Sequence, residues 1–366
     1  MPAARALLVP LLILVLGAAL LLAALGPVDS ASASDGSRDG SRHFRAQPLG
    51  SDKFAKGRLY RGDFPDPAIV RSRHTYFAYS TTIASMNLPI LRSTDLVHWR
   101  VVGEGLLRPA RWALSRRVGN RRVAKTWAPT VARFGKRFVH AYATPARGAW
   151  DHRMCISIST SRRHWRGFVD RTRRPFVCPA NRGAIDPEFF RAPGGARYLL
   201  WKSEQTATYP SQLWSHRISG TGTRRYSAHG LLLTTREPWE GRVIENPSMI
   251  VYAGRYYLFY SGGNWADSSY ATGYAVCSTP LGPCTRASSE PLLATGGKVA
   301  GPGGATAFLG ASGRLHLAYA AWDFGNTGYP KSTACLRTVK GCAQRRLHVA
   351  TLKANPDGSL VVTSRG

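Results

Sequence analysis

Three carboxylates stand at nearly one phase of a repeat in this chain. Asp66 and Asp186 each directly precede a proline, and Glu245 stands one residue further back, in Glu245-Asn246-Pro247. Acids converging from separate segments suit the cleavage of glycosidic bonds. One carboxyl must give a proton to the leaving oxygen, while another, ionised, activates water or attacks the sugar. A third acid nearby can hold the donor's pKa high through like-charge interaction. Asp-Pro and Asn-Pro are also common turn openers, so each of the three taken singly reads as a turn. The shared phase, in a chain with only 20 acids among 366 residues, favours function. Trp127, in Trp127-Ala128-Pro129, holds the place matching Glu245 and is the ring best placed to stack on a sugar. Asn246 reads equally as a turn former and as a ligand to a sugar hydroxyl. Trp201 falls inside an aromatic strand and is expected in the core, whereas Trp150 and Trp265 fall in loop-like stretches that could line a rim.

The elements that must position these residues recur along the chain. Aromatic and aliphatic runs follow Gly, Arg or His turns at residues 76–81, 135–144, 195–203, 254–263 and 313–323. Alternating β-branched and aromatic residues bounded by turn residues are the strand signal, and helical periodicity is scarce. Pro67, Pro129, Pro187 and Pro247 are separated by 62, 58 and 60 residues, and a fifth unit opens near Gly301-Pro302, 55 residues on. Five strand-rich units at this period predict an all-β fold, a five-bladed β-propeller of four-stranded antiparallel blades. The first blade reads as strands at 68–72, 76–81, 89–94 and 99–104, from the innermost outward. A two-sheet sandwich is the alternative, but it has no reason to repeat at this period. Equivalent positions of a propeller meet at one end of its central channel, where the three acids are expected to converge. Asp63, Asp95 and Asp323 look peripheral, and Glu188, which alternation could put on one face with Asp186, is given no catalytic role.

Lys and Arg total 50 against 20 acids, a formal net charge of +30, and 41 of the bases are Arg. With 44% hydrophobic residues the chain can bury a sizeable core, which excludes general disorder. The charge invites a nucleic-acid reading. Pairs such as Arg116-Arg117, Arg162-Arg163 and Arg345-Arg346 are nevertheless spread along the chain, and no zinc-finger or RNA-recognition signature occurs. A monomer with a solvated basic surface is expected, its most credible further use being association with an anionic cell wall or membrane surface. A Gly-x-Ser-x-Gly elbow and a P-loop pattern are both absent. The cysteines form no Cys-x-x-Cys and have no His at zinc-like spacing, so neither metal nor cofactor is expected.

Residues 6–25 are uncharged and almost wholly apolar after a lone Arg5, and Ala31-Ser32-Ala33 supplies an A-x-A arrangement. Residues 1–33 read as a secretory signal peptide or an N-terminal membrane anchor. Residues 34–53, rich in Ser, Gly, Asp and Arg, read as a disordered linker, and the propeller is expected over 54–366. The product is expected to be secreted, or tethered to the outer face of the membrane. Six cysteines in an exported chain suggest disulfides. Cys277/Cys284 and Cys335/Cys342 are each seven residues apart, and Cys155/Cys178 is the remaining pair.

Several stretches, in order, resemble glycoside hydrolase family 43. They are Asp63-Phe64-Pro65-Asp66-Pro67-Ala68-Ile69-Val70, then Arg92-Ser93-Thr94-Asp95-Leu96-Val97-His98-Trp99 and Trp127-Ala128-Pro129. Ile185-Asp186-Pro187-Glu188-Phe189-Phe190 and Ile244-Glu245-Asn246-Pro247 complete the set. The resemblance runs from about Gly62 to the C-terminus. It implies a five-bladed propeller that hydrolyses glycosidic bonds with inversion, acting on arabinose- or xylose-containing polysaccharides and oligosaccharides. It also implies Asp66 as general base, Asp186 as the residue that tunes and orients the acid, and Glu245 as general acid. An inverting enzyme separates base and acid by roughly 6.5–9.5 Å. Family members often carry a His at the start of the fifth unit, sometimes associated with calcium. Here that stretch is Gly301-Pro302-Gly303-Gly304-Ala305-Thr306, so no metal is expected. Asn246 stands where a small residue usually follows the Glu. The alternative, a secreted carbohydrate-binding propeller that has lost catalysis, is opposed by retention of all three acids.

Overall fold

The computed structural model describes residues 59–148, 153–163, 166–329 and 342–365. The expected signal or anchor, the linker, Trp150 and Cys335 lie outside the described residues. Among the described residues, no helix is long and apolar enough to cross a membrane.

Five sheets, each built in chain order from the innermost strand outward, form the blades. Blade 1 comprises Ala68–Ser72, Thr75–Tyr79, Pro89–Ser93 and Arg100–Glu104, within a residue or two of the strands read from sequence. Blade 3 runs Ala184–Arg191, Arg197–Ser203, Gln212–Ile218 and Arg225–Thr234. Blade 4 runs Ile244–Tyr252, Arg255–Gly262, Ala271–Cys277 and Cys284–Arg286. Blade 5 runs Val299–Leu309, Leu315–Asp323, Arg346–Ala354 and Leu360–Ser364.

Blade 2 departs from the plain pattern. Its strands Trp127–Phe134, Arg137–Pro145, Met154–Ser161 and Phe168–Val169 acquire a fifth at the edge, Leu106–Arg108, which pairs in parallel with Phe168–Val169. A two-residue outer strand leaves an open edge, and the chain arriving from blade 1 covers it. A hairpin, Ser115–Val118 with Arg121–Ala124, is inserted before blade 2 begins.

The aromatic and aliphatic residues of the repeat fill the spaces between blades. Separate buried clusters join blades 1 and 2 (Tyr79, Val131), 2 and 3 (Ile156, Leu199), 3 and 4 (Leu200, Leu258) and 4 and 5 (Phe259, Leu317). A fifth cluster closes the ring, packing Tyr60, Ile69 and Tyr76 against Phe308 and Ala318. Because blade 5 takes all its strands from the C-terminal part of the chain, this last junction rests on side chains and local hydrogen bonds, not on a shared strand. Phe64 N–H donates to the Arg345 carbonyl at 2.7 Å, and Ala311 N–H to the Tyr76 hydroxyl at 2.9 Å. Two expected disulfides are formed, Cys155–Cys178 in blade 2 and Cys277–Cys284 across the outer strands of blade 4.

Candidate active site

Each innermost strand enters the channel through a residue of positive φ immediately before its proline. These are Asp66 (52°), Ala128 (40°), Asp186 (53°), Asn246 (49°) and Gly301 (59°). The left-handed region costs an L-residue about 1–2 kcal/mol, and Asn and Asp visit it most readily after Gly. The proline that follows has no N–H to leave unpaired where the ladder is interrupted. In blades 2, 3 and 4 the strand register shifts across this dipeptide, and such a bulge re-aims a side chain. The proline repeat read from the sequence is therefore a repeat of backbone geometry around the channel.

Asp66, Asp186, Asn246 and Glu188 all line the channel, together with Gly304 and Thr306. Its enclosed part holds only about 20 Å³, room for a water and not for a sugar ring. Glu245 is joined to this set through its neighbour: the backbone N–H of Asn246 donates to Asp186 Oδ2 at 2.9 Å. Three carboxylates from blades 1, 3 and 4 are thus gathered as the repeat predicts. Trp127 is partly buried at the start of the blade 2 inner strand and makes no hydrogen bond or ring contact with these acids, although Ala128 beside it lines the channel. The side chain of Asn246 accepts a hydrogen bond from the Tyr270 hydroxyl at 3.2 Å.

The acids sit in unequal surroundings. Asp66 accepts the Thr81 hydroxyl at 2.7 Å and pairs with the Arg345 guanidinium at 3.3 Å. Asp186 is buried, and that burial, reinforced by the charge of Glu245 and opposed by Lys202, pushes its carboxyl well above the usual range. Burial pushes Glu245 the same way, but its close partners win and its pKa is lowered. Lys202 Nζ donates to Oε2 at 2.9 Å and the Tyr270 hydroxyl to Oε1 at 2.8 Å. Lys202 is itself buried and lies equally near Glu204, at 2.9 Å. The neighbouring Asp186 and Glu245 are therefore driven apart, the former toward holding a proton and the latter toward losing it.

Sequence reasoning missed several members of this assembly. Arg345 comes from the edge of blade 5, is 4% exposed, and lies 5.5 Å from the Tyr270 ring and 6.0 Å from that of Trp265. Among the described residues, its buried Nε and Nη2 have no hydrogen-bond partner. Gly304 makes the room: a Cβ there would lie 2.8 Å from Asp66 Oδ1 and 3.2 Å from Arg345 Nη2. The glycines found where the resemblance leads to a His thus admit an arginine from elsewhere. Asp63 is not peripheral as expected. Its carboxylate accepts Arg345 N–H at 2.8 Å and the Tyr329 hydroxyl at 2.9 Å, and burial raises its pKa to about 6. Glu188 lines the channel and is raised by burial to about 8, opposed only by Thr130. Lys202 did leave a signal, a lysine inside the apolar run Leu199-Leu200-Trp201. Two other expectations hold: Trp201 is core, and Asp95 organises a turn by accepting the N–H groups of Val97 and His98. Trp265, half-exposed, has its ring 6.0 Å from Arg345.

Carboxylates from separate blades gathered at the channel of a five-bladed propeller are the kind of groups that glycosidic bond cleavage calls for. The description "Glycosyl hydrolases family 43" matches residues 59–339. The extracellular endo-alpha-(1->5)-L-arabinanase 1 of Bacillus subtilis (strain 168) is 25% identical over 282 residues, 73% of this chain and 82% of that protein. Among solved structures, a thermostable family-43 glycoside hydrolase aligns with a TM-score of 0.68 at 22% identity, over 84% of this chain and 95% of its own. An alpha-L-arabinofuranosidase from Lactobacillus brevis aligns at 0.63 and 18%, over 81% and 93%. The chain belongs to glycosyl hydrolases family 43 and is an enzyme that hydrolyses O-glycosyl bonds.

Proposed function

We propose that this glycosidase cleaves arabinose- or xylose-containing glycans with inversion, Asp66 serving as general base, Glu245 as general acid and Asp186 as the group that sets the acid's proton affinity. The observation that supports the reading is the gathering of carboxylates from three blades at the channel: Asp66 and Asp186 line it, and the backbone N–H next to Glu245 donates to Asp186 at 2.9 Å. Burial pushes Asp186 toward its protonated form while Lys202 and Tyr270 draw Glu245 toward its ionised form, and two such neighbours titrate as a unit. The direction of these shifts favours Asp186 over Glu245, in the free enzyme, as the holder of a shared proton. When it passes to Glu245, Lys202 keeps a partner in Glu204 and the charge moves to Asp186. Asp66, hydrogen-bonded to Thr81 and Arg345, is on hand to take a proton from water.

The reaction then balances simply. Water adds to the anomeric carbon as Asp66 takes its proton, the bond to the leaving oxygen breaks, and Glu245 protonates that oxygen. The sugar is released with inverted configuration, and exchange with solvent restores both carboxyls. Trp265, Trp127 and Asn246 contribute to the rim, and Arg345, buried behind it, holds Asp66 in place. The enzyme works outside the cell: its disulfides suit an oxidising compartment, and the arabinanase relative is extracellular. It acts there as a monomer whose solvated basic surface adheres to anionic polymers.

Purified protein is expected to release pentose from at least one of aryl pentofuranosides, arabinan and xylan, with the first-formed anomer inverted by NMR. Asp66→Asn and Glu245→Gln should each lower kcat by about 10²–10⁴-fold with an unchanged circular dichroism spectrum. Silence across the whole panel would overturn the substrate reading, and full activity in either variant would overturn the roles.

A further inference from the structure

A second cavity lies apart from the channel. It lies at the outer part of the junction between blades 2 and 3 and measures about 330 Å³, within the range of small-molecule sites. No channel residue lines it. One face is a row of rings on blade 3. Trp201 and Trp214 are cross-strand partners stacked at 6.1 Å with 17° between planes. His216 and His229, the partners next along, stack at 5.1 Å and 16°. The opposite wall is residues 177–179, tied down by the Cys155–Cys178 disulfide.

The polar groups of this cavity are all basic. Trp201 Nε1–H donates to His216 Nδ1 at 2.9 Å, so a neutral His216 carries its hydrogen on Nε2. His229 Nδ1 is engaged by the Ser227 carbonyl at 2.8 Å. Among the described residues, neither imidazole Nε2 has a hydrogen-bond partner, and nor has the guanidinium of Arg225, which lies 5.9 Å from the Phe176 ring. No acidic side chain lines the space. Burial lowers the His216 pKa to about 4, so at neutral pH it is an uncharged donor through Nε2–H, and Arg225 is the cation beside the aromatic face. An exposed guanidinium next to stacked rings suits an anion that also has an apolar face.

We propose that this cavity is a second glycan site, separate from the channel, that takes a carboxylated sugar, a uronic acid unit of a polysaccharide. The C–H face of a pyranose lies on the Trp214 and His229 rings. Arg225, whose planar fork matches a carboxylate, pairs with the acid group, and His216 Nε2–H adds a donor. A neutral sugar would desolvate Arg225 and leave it unpaired. A free phosphate would leave the indoles with nothing to stack on. Capture of a uronate here holds a decorated polysaccharide on the enzyme while the channel works on its pentose units. Binding does not require a catalytic channel.

The test uses the full chain, titrated by tryptophan fluorescence and calorimetry with xylotriose carrying one glucuronic acid branch and with plain xylotriose. The acidic oligosaccharide should bind at least about tenfold more tightly. The substitution Arg225→Gln, at an exposed position, should abolish that preference while leaving kcat/KM on an aryl pentoside unchanged. Trp214→Phe should keep the preference and Trp214→Ala should weaken both ligands. Equal binding of the two sugars by the parent, an undiminished preference in Arg225→Gln, or tighter binding of a single-stranded oligonucleotide each overturns the proposal. A protein inactive on every glycoside that still binds through Arg225 would refute the channel roles and leave this site standing.

Discussion

Replacing Lys202 by methionine tests the division of one proton between Asp186 and Glu245. Lys202 Nζ lies 2.9 Å from both Glu245 and Glu204, and its side chain is 3% exposed. At an effective dielectric of about 20, a unit-charge contact near 3 Å is worth roughly 5–6 kcal/mol gross, or about four pKa units. Desolvation of the ammonium and sharing with Glu204 take most of this back, so a net change of one unit or more is expected. Its sign follows from the partners. Glu245 is held below its ordinary value, so its stabilising contribution is full above the unfolded carboxylate pKa, about 4.3, and is lost as pH falls through the folded value. Without Lys202 the carboxyls face one another with only the more distant Arg345 to offset their repulsion, and the proton is held more tightly. The alkaline limb of kcat/KM, which reports loss of that proton in the free enzyme, should move up by at least about one pH unit. Urea unfolding at pH 7 should show a loss of about 3–5 kcal/mol, the usual cost of breaking one side of a buried pair. The deficit should shrink at pH 4.5, where the variant's carboxylates are protonated. An alkaline limb that stays in place, with the same deficit at both pH values, would refute the reasoning.

Gly304→Ala should cost about 1–2 kcal/mol for its left-handed backbone (φ 64°) and at least about tenfold in kcat/KM, since the new Cβ meets Asp66 and Arg345; melting and pentoside kinetics check both. Glu240→Ala should lower the unfolding free energy by about 3–5 kcal/mol with kcat little changed. It removes a fully buried carboxylate that pairs with Arg286 at 2.7 Å and accepts the Tyr260 hydroxyl at 2.8 Å. Glu188, raised by burial to about 8, holds its proton in the folded state while the unfolded chain loses it, so the parent loses stability as pH rises from about 4.3 toward 8. Glu188→Gln should therefore melt with the parent near pH 4.5 and above it at pH 9; equal melting at pH 9 would show that Glu188 ionises freely in the channel.

Legibility differed between parts of the site for a physical reason. The X-Pro dipeptides are local, short-range signals, since a residue before proline that also adopts positive φ must fall where a strand is broken. Asp66, Asp186 and Glu245 could be found because they stand beside that mark. Arg345 stands beside nothing comparable. It is one of 41 arginines, and only ring closure brings it against Asp66 from 279 residues away. Tyr270 stands just before the third strand of blade 4 and Lys202 lies in the second strand of blade 3, positions whose phase the prolines do not record. The added edge strand Leu106–Arg108 was equally hidden, because parallel pairing with Phe168 joins segments that no turn connects. Asp63 looked spare because its partners, Tyr329 and Arg345, lie at the far end of the chain.

The junction of blades 5 and 1 places structural closure and chemistry on the same few residues. Phe64 N–H, the Asp63 carboxylate and Asp66 all meet Arg345, across the one boundary that the chain does not cross by running from one blade into the next. The molecule is a bracelet whose clasp carries the working part of the lock. A ring sprung at that clasp would keep most of its blades folded and lose the base's alignment with the acid pair. Turnover is thus a readout of whether the circle is shut, and a chain emerging N-terminus first cannot become an enzyme until its last blade has come round to meet its first.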